Sequence, residues 1–239
     1  MFSPIKKLGI VVLAASSLGI ITNMMKPMPS FGQVVIKFAD GTYCEGVFQG
    51  DRLNGKGVCV YQDKGSYRGQ FRNGQPNGIG VFVFGEGDRY QGQFVNGQPN
   101  GKGEFIFKDD NRYQGEFRNG QPNGTGSFIF TNGDRYQGQF RNGQFHGTGV
   151  FSYANGDRYQ GRFVNGQILG GGVFTSQDGT RCQGEFFNND LDGRGVCVDN
   201  KGNRYRGELR NALPHGRGNI VFADGRNFSG QFRNGEPIR

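Results

Sequence analysis

The chain has little of what most active sites are made from. Histidine occurs twice in 239 residues, at His146 and His215, which lie 69 residues apart. No paired carboxylates, nucleophile motif or strand-to-helix phosphate loop stands out, and the many Gly-x-Gly pairs lie between strand-like segments. These shortages argue against catalysis, metal ligation and any bound cofactor. Charge of one sign is also in short supply. The formal charge is +8, and setting aside Lys6, Lys7 and Lys26 leaves 25 basic against 20 acidic residues. Nucleic-acid binding shows a stronger basic patch, so it is excluded as a leading reading. Tryptophan is absent. Long apolar runs are confined to one place, the 14 residues from Leu8 to Ile21.

What is abundant is glycine, 45 residues, and phenylalanine, 23 residues. So much glycine without order would suggest a disordered chain, but here it is periodic. Tyr90-Gln-Gly-Gln-Phe94 recurs as Tyr113-Gln-Gly-Glu-Phe117 and again from Tyr136 and Tyr159. The central glycine falls at 46, 69, 92, 115, 138, 161, 184, 207 and 230, always 23 residues apart. Nine copies without insertion or deletion define a repeat architecture.

Counting the aromatic of each copy as zero, aromatics or glycines stand at 0, +2 and +4 and again at +11, +13, +15 and +17. Alternate residues of a strand share a face, so this is a β pattern with one aromatic and one polar side. A hairpin closing over Asn119-Gly120-Gln121-Pro122 is expected to set Tyr113 opposite Phe128, Gly115 opposite Gly126 and Phe117 opposite Gly124. The next turn, from Thr131 to Asp134, is expected to set Phe130 opposite Tyr136. Glycine in register suggests a floor on which neighbouring rings lie flat. About 17 or 18 strands follow from the period.

The residues Tyr113-x-Gly115-x-Phe117, Asn119-Gly120 and Gly124-x-Gly126 resemble the MORN repeat, and the resemblance extends over about residues 34–239. It implies an all-β fold, an elongated single-layer antiparallel sheet of successive 23-residue hairpins. It also implies scaffolding, protein–protein contact or acidic phospholipid binding, and no catalysis by the repeats.

Residues 1–30 differ from the repeat body at 31–239. Lys6-Lys7 precedes the apolar run, and no acidic residue occurs before Asp40. Three readings stay open: a short apolar helix acting as an uncleaved signal anchor or transmembrane helix, a cleaved secretory signal, or a cytosolic helix. The first places the repeats outside the cytosol at a membrane, by the positive-inside bias; the second makes them secreted or periplasmic. Val34 to Phe38 is expected to cap the sheet, and the last strand, Phe228 to Phe232, to lack a following arm. Both ends are edges that need protection or attract partners.

Two sets of side chains are candidate binding rows. Arg89, Arg112, Arg135, Arg158, Arg181 and Arg204 stand at −1, and Arg72, Arg118, Arg141, Arg210 and Arg233 at +5. The −1 row is a candidate site for anionic lipid headgroups or an acidic polymer; its bland alternative is a solvated face. The aromatic row Tyr67, Tyr90, Tyr113, Tyr136 and Tyr159, with Phe82, Phe105, Phe128 and Phe151, is either a stacking platform or the core of a thin protein. Departures from the pattern gather at Ile168-Leu169, expected as exposed turn residues, at Gly170-Gly171-Gly172 and at Phe186-Phe187. The leading functional expectation is a non-enzymatic, membrane-anchored or exported scaffold that binds a protein partner or itself.

The four cysteines carry the sharpest expectation. Cys44 and Cys182 fill the tyrosine slot, and Cys59 and Cys197 fill the slot at +15. In the register above those slots face each other, within disulfide reach across an antiparallel pair. Chance substitution would rarely change both members of a facing pair twice and nothing else. The register therefore predicts Cys44–Cys59 and Cys182–Cys197, which suit an oxidising compartment; four reduced, buried thiols are the alternative.

Overall fold

The computed structural model describes residues 34–238, which form nineteen antiparallel β-strands and no helix among the described residues. The expected N-terminal helix, with its anchor and signal readings, lies outside the described residues. The chain divides into two compact units. Residues 34–131 hold β1 (Val34–Lys37) through β9 (Gln121–Ile129), and residues 132–238 hold β10 (Arg135–Arg141) through β19 (Glu236–Ile238). Within each unit every strand pairs with the next one in sequence.

One hairpin shows why the repeat is written as it is. In β8 (Arg112–Arg118) and β9, Tyr113 faces Phe128 and Gly115 faces Gly126, as the pattern requires. Beyond that the expected register fails: Phe117 faces Pro122 and Arg118 faces Gln121. The loop is only Asn119-Gly120, with φ of 51° and 79°. Both values are positive, the geometry of a type I′ turn, which Asn-Gly adopts at least cost. The tighter turn leaves Glu116 alone against Asn123, Gly124 and Thr125. The surplus is taken up in a bulge at Gly124, where φ is 99°.

A bulge frees backbone groups, and buried ones need partners. The Tyr113 hydroxyl donates to the Glu116 carbonyl at 2.9 Å, and the Glu116 carboxylate accepts from the Thr125 hydroxyl at 2.6 Å. The same pair of bonds recurs: Tyr67 donates to the Gln70 carbonyl at 3.0 Å, and the Gln70 side-chain oxygen accepts from the Ile79 N–H at 2.8 Å. Tyr90, Tyr136 and Tyr205 make the tyrosine bond to Gln93, Gln139 and Glu208. To reach that carbonyl the ring must lie flat over the sheet. A Cβ added at Gly126 would stand 2.6 Å from Cε2 of Tyr113, and one at Gly149 2.6 Å from that of Tyr136. The glycine floor is therefore real.

Copies join through the same ring. Tyr90 meets Phe117 of the next copy edge-on at 4.8 Å, and Tyr136 meets Phe163 at 5.0 Å. Between copies the facing pairs are Phe105 with Tyr113 and Gly101 with Phe117. This corrects two expectations. The ring at +15, not the one at +17, stands opposite the next tyrosine; and phenylalanine at +4 does face a +11 glycine, but that of the preceding copy. Turns are tied copy to copy, as in Gly97 N–H to Pro76 C=O at 2.9 Å and Lys108 N–H to the Asp88 carboxylate at 2.8 Å.

Further corrections concern the ends and the irregular copies. β1 caps its unit by pairing Ile36 with Cys44, as expected. The last full strand, β18 (Asn227–Arg233), does have a following arm: Phe232 faces Pro237 of β19. Ile168 is not exposed but 2% accessible, because it fills the buried slot that proline holds elsewhere; Leu169 beside it is exposed. Both disulfides form as expected, Cys44–Cys59 with Cα atoms 4.1 Å apart and Cys182–Cys197 with Cα atoms 4.0 Å apart.

Gly126→Ala tests the floor. The methyl must displace the Tyr113 ring, and overpacking of this kind costs about 1–3 kcal/mol. Gln114→Lys, on the exposed side of the facing strand, is expected to change stability by less than about 0.5 kcal/mol. Urea unfolding of both variants measures the difference; equal stability would remove the floor from the account.

Candidate interaction surfaces

Since β-alternation sends the rings to one side, the arginines go to the other. Tyr67, Tyr90, Tyr113, Tyr136 and Tyr159 are all 0% accessible. That answers the question the sequence left open: this row is core, sealed beneath neighbouring rings, and offers no stacking platform. Of the repeat's regular aromatic positions the one that reaches solvent is +17, where Phe38, Tyr61, Phe84 and Phe107 are half-buried in one unit. Phe84 packs on Phe82 at 4.5 Å and on Phe105 at 5.8 Å, so each such ring covers the row beside it.

Arg112, Arg135, Arg158, Arg181 and Arg204 are exposed and Arg89 is half-buried. Within a unit, arginines of the −1 row stand opposite +16 residues, as Arg112 does with Ile106 and Ile129 and Arg204 with Val198 and Val221. Within a unit, equivalent arginines recur every second strand, about 9.6 Å apart. Arg112 is paired with Glu104 at 3.3 Å, while Arg135, Arg158 and Arg204 have no ion-pair partner among the described residues. The face is less uniformly polar than the sequence suggested. Val58, Val60, Val81 and Val83 are half-buried on it. At +5, Arg72, Arg118, Arg141, Arg210 and Arg233 are exposed beside the type I′ turns.

Two open depressions lie on these surfaces. One, about 730 Å³, sits at the bulged end of one unit and is lined by Asn100, Lys102, Glu116, Arg118 and Asn123 among others. The other, about 450 Å³, lies in the second unit over Gly171, beside Val173, Gln183, Glu185 and Arg194. The sequence marked the second only as a break in the pattern; its use of space emerges from the side chains that a glycine there lacks. Among the described residues no cluster of histidine, cysteine, aspartate or glutamate is placed to hold a metal ion. His146 and His215 sit in bulges, where their carbonyls accept from Tyr136 and Tyr205 at 3.4 and 3.2 Å.

Comparison with known proteins agrees with this geometry. The MORN repeat model matches residues 44–66, 67–89, 90–112, 113–135, 136–158, 159–181, 182–204 and 205–225. No curated protein matches the chain. Among solved structures, the TCP10 domain of Danio rerio CPAP is similar at 16% identity, covering 84% of this chain and 89% of that one with a TM-score of 0.44. The SAS-4 (dCPAP) TCP domain of Drosophila melanogaster, solved in complex with a proline-rich motif of Ana2 (dSTIL), is similar at 13% identity. It covers 77% of this chain and 96% of that one, with a TM-score of 0.36. At these TM-scores the likeness extends to neither partner nor activity.

Burial gives the tyrosine row a pH signature. It pushes the Tyr159 hydroxyl up to about 12, and raises Tyr67, Tyr90, Tyr113 and Tyr136 further, from an ordinary value of 10.0. A folded pKa above the unfolded one means stability that is full below about pH 10 and lost as pH climbs through the folded values. Phenolate absorbance of these tyrosines is therefore expected to rise in one steep step, above about pH 11, together with loss of β circular dichroism. Gradual ionisation near pH 10 with structure retained would contradict the burial.

Proposed function

Because the chain belongs to the MORN-repeat family, we propose that it is a non-catalytic scaffold whose outer face binds a protein partner, carried at a membrane or exported by its N-terminal segment. The observation that supports this reading best is the separation of roles in each repeat. What holds the sheet together lies mainly among the tyrosines, glycines, turns and disulfides, with the +3 side chains at the bulges, so the arginine rows are left for recognition. A surface repeated at fixed spacing suits an extended partner better than a small substrate. Export draws support from Lys6-Lys7 and the apolar run from Leu8 to Ile21. Two disulfides also fit an oxidising compartment.

A second reading has its own observation. Exposed arginines without ion-pair partners, such as Arg135, Arg158 and Arg204, would suit anionic lipid headgroups or an acidic polymer. One experiment separates the readings. Intact cells carrying the full chain are treated with a membrane-impermeant protein cross-linker, and the chain is then isolated. The scaffold reading expects a discrete cross-linked protein species without permeabilisation. Reaction only after permeabilisation would end the export proposal. A chain that reacts from outside yet joins to no protein, while sedimenting with anionic but not neutral liposomes, would favour the second reading.

A further inference from the structure

The copy that starts at Cys182 keeps the facing of zero with +15 and of its two glycines but departs from the repeat in its turn, its bulge and its ring, and the breaks fall in one place. Its turn carries Asn188-Asn189 where six other copies have Asn-Gly, and the type I′ turn is lost. β14 (Arg181–Phe186) and β15 (Gly193–Val198) pair without a bulge, Glu185 facing Arg194 and Phe186 facing Gly193. A longer loop closes instead through Phe187 N–H to Asp192 C=O at 2.8 Å. There is no tyrosine; the disulfide holds the pair.

Three consequences appear on the outer face. First, the acidic or amide side chain at +3 elsewhere accepts hydrogen bonds from the bulge, as Gln70 and Glu116 do. With no bulge, the Glu185 carboxylate has no hydrogen bond or ion pair among the described residues, and Arg194 pairs with Glu208 at 3.3 Å instead. Second, Gly171 occupies a slot that carries a side chain in every other copy. A Cβ there would meet only the Glu185 carboxylate, at 3.3 Å, and the depression of about 450 Å³ is the result. Third, Leu169 and Phe187, each one residue beyond the facing pair Gly170 and Phe186, are 45% and 58% accessible. Arginines outnumber the exposed acids Glu185 and Asp190 on this part of the face. Arg194 lines the depression, Arg162 stands beside Gly170, and Arg206 faces Val196. Arg158, Arg181 and Arg204 form a row farther along the same strands, level with Thr175 and Val198.

We propose that this patch is the recognition site for an acidic segment of a partner protein that also carries a large apolar side chain. The inference rests on the scaffold reading and deepens it. Acidic side chains of the segment meet the surrounding arginines, which is the charge complementarity that selects it. The apolar side chain enters the Gly171 depression over Val173, and the exposed Leu169 and Phe187, just beyond the facing pair Gly171 and Glu185, extend the apolar contact. A small centre of this kind carries most of an interface's affinity. The Glu185 carboxylate accepts a backbone N–H of the bound segment. Glu185 also explains why the occupant is a polypeptide: its carboxylate needs an N–H donor, which a peptide backbone supplies and a phosphate group does not.

The test uses the full disulfide-bonded chain and random dodecapeptides displayed on phage. Enriched peptides are expected to combine several Asp or Glu with one Leu, Phe or Met, and to bind more weakly at high salt. Gly171 has no positive φ. Gly171→Thr therefore restores the residue type found at Thr125 and Thr148 and fills the depression without backbone strain. It is expected to weaken those peptides by about tenfold or more, and the double variant Leu169→Gln with Phe187→Gln to do the same. Circular dichroism of both variants should match the parent. Failure to enrich any peptide, or peptides that bind Gly171→Thr as well as the parent, would overturn the proposal. So would phosphatidylserine vesicles that bind better than the peptides and ignore both changes. If a cross-linked partner of the intact chain survives Gly171→Thr, the scaffold reading stands and only this site falls.

Discussion

A tyrosine ring lying across two facing glycines, with its hydroxyl on the carbonyl that a bulge has freed, is the contact on which the hairpins at Tyr67, Tyr90, Tyr113, Tyr136 and Tyr205 depend. At Tyr159 the ring lies the same way, but its buried hydroxyl makes no hydrogen bond among the described residues. Its parts require one another. The Asn-Gly turn is tight, so the strands differ in length and must bulge; the bulge frees a carbonyl beneath the sheet's aromatic side; only a hydroxyl can satisfy it from there, and only glycine lets the ring come close enough. Phenylalanine would supply the area but not the bond. An alanine on the floor would lift the ring and remove the bond. Leaving a buried carbonyl without a partner costs about 1–3 kcal/mol, which is large beside what one small repeat can hold.

The exceptions show the same dependence. In the first copy Cys44 replaces the tyrosine, and the space over Gly46 and Gly57 is filled by Leu53, whose methyls lie where an added Cβ would meet them at 2.6 Å. In the copy at Cys182 the turn has changed, the bulge has gone, and no hydroxyl is needed. In both, a disulfide joins the strands where a ring otherwise bridges them. Tyrosine with phenylalanine in ordinary copies, and paired cysteines in these two, are alternative ways of holding position zero to +15. Because stability resides there, the outer face is free to differ from copy to copy, and the differences concentrate at Leu169, Gly171, Glu185 and Phe187.

Strand periodicity, the aromatic side and the facing of zero with +15 were legible in the sequence, because each is a period-two statement that a fixed 23-residue repeat multiplies. The disulfides followed from the same facing. The turn was not legible: Asn119-Gly120-Gln121-Pro122 contains two acceptable turn dipeptides, and a four-residue loop keeps glycines opposed just as plausibly. What decides is the Tyr113 bond to Glu116, a three-dimensional contact that no spacing reveals. The burial of Ile168 was missed for a related reason, since proline in a turn-like sequence suggests solvent, whereas here its slot points at a ring. The arginine rows were legible as positions, but their partners were not, since Arg112 finds Glu104 only once strands are aligned.

The central claim is that the hydroxyl bond, beyond ring packing, holds the bulge. Amide hydrogen exchange in Tyr67→Phe tests it directly, because the Ile79 N–H bonds at 2.8 Å to the side chain of Gln70, whose carbonyl accepts the Tyr67 hydroxyl. The ring and its contacts remain; one oxygen is removed. The account predicts exchange at Ile79 faster by about tenfold or more, equivalent to at least about 1.4 kcal/mol, with distant repeats unchanged. Exchange at Ile79 equal to that of the parent protein would show that the rings alone suffice, and would contradict it.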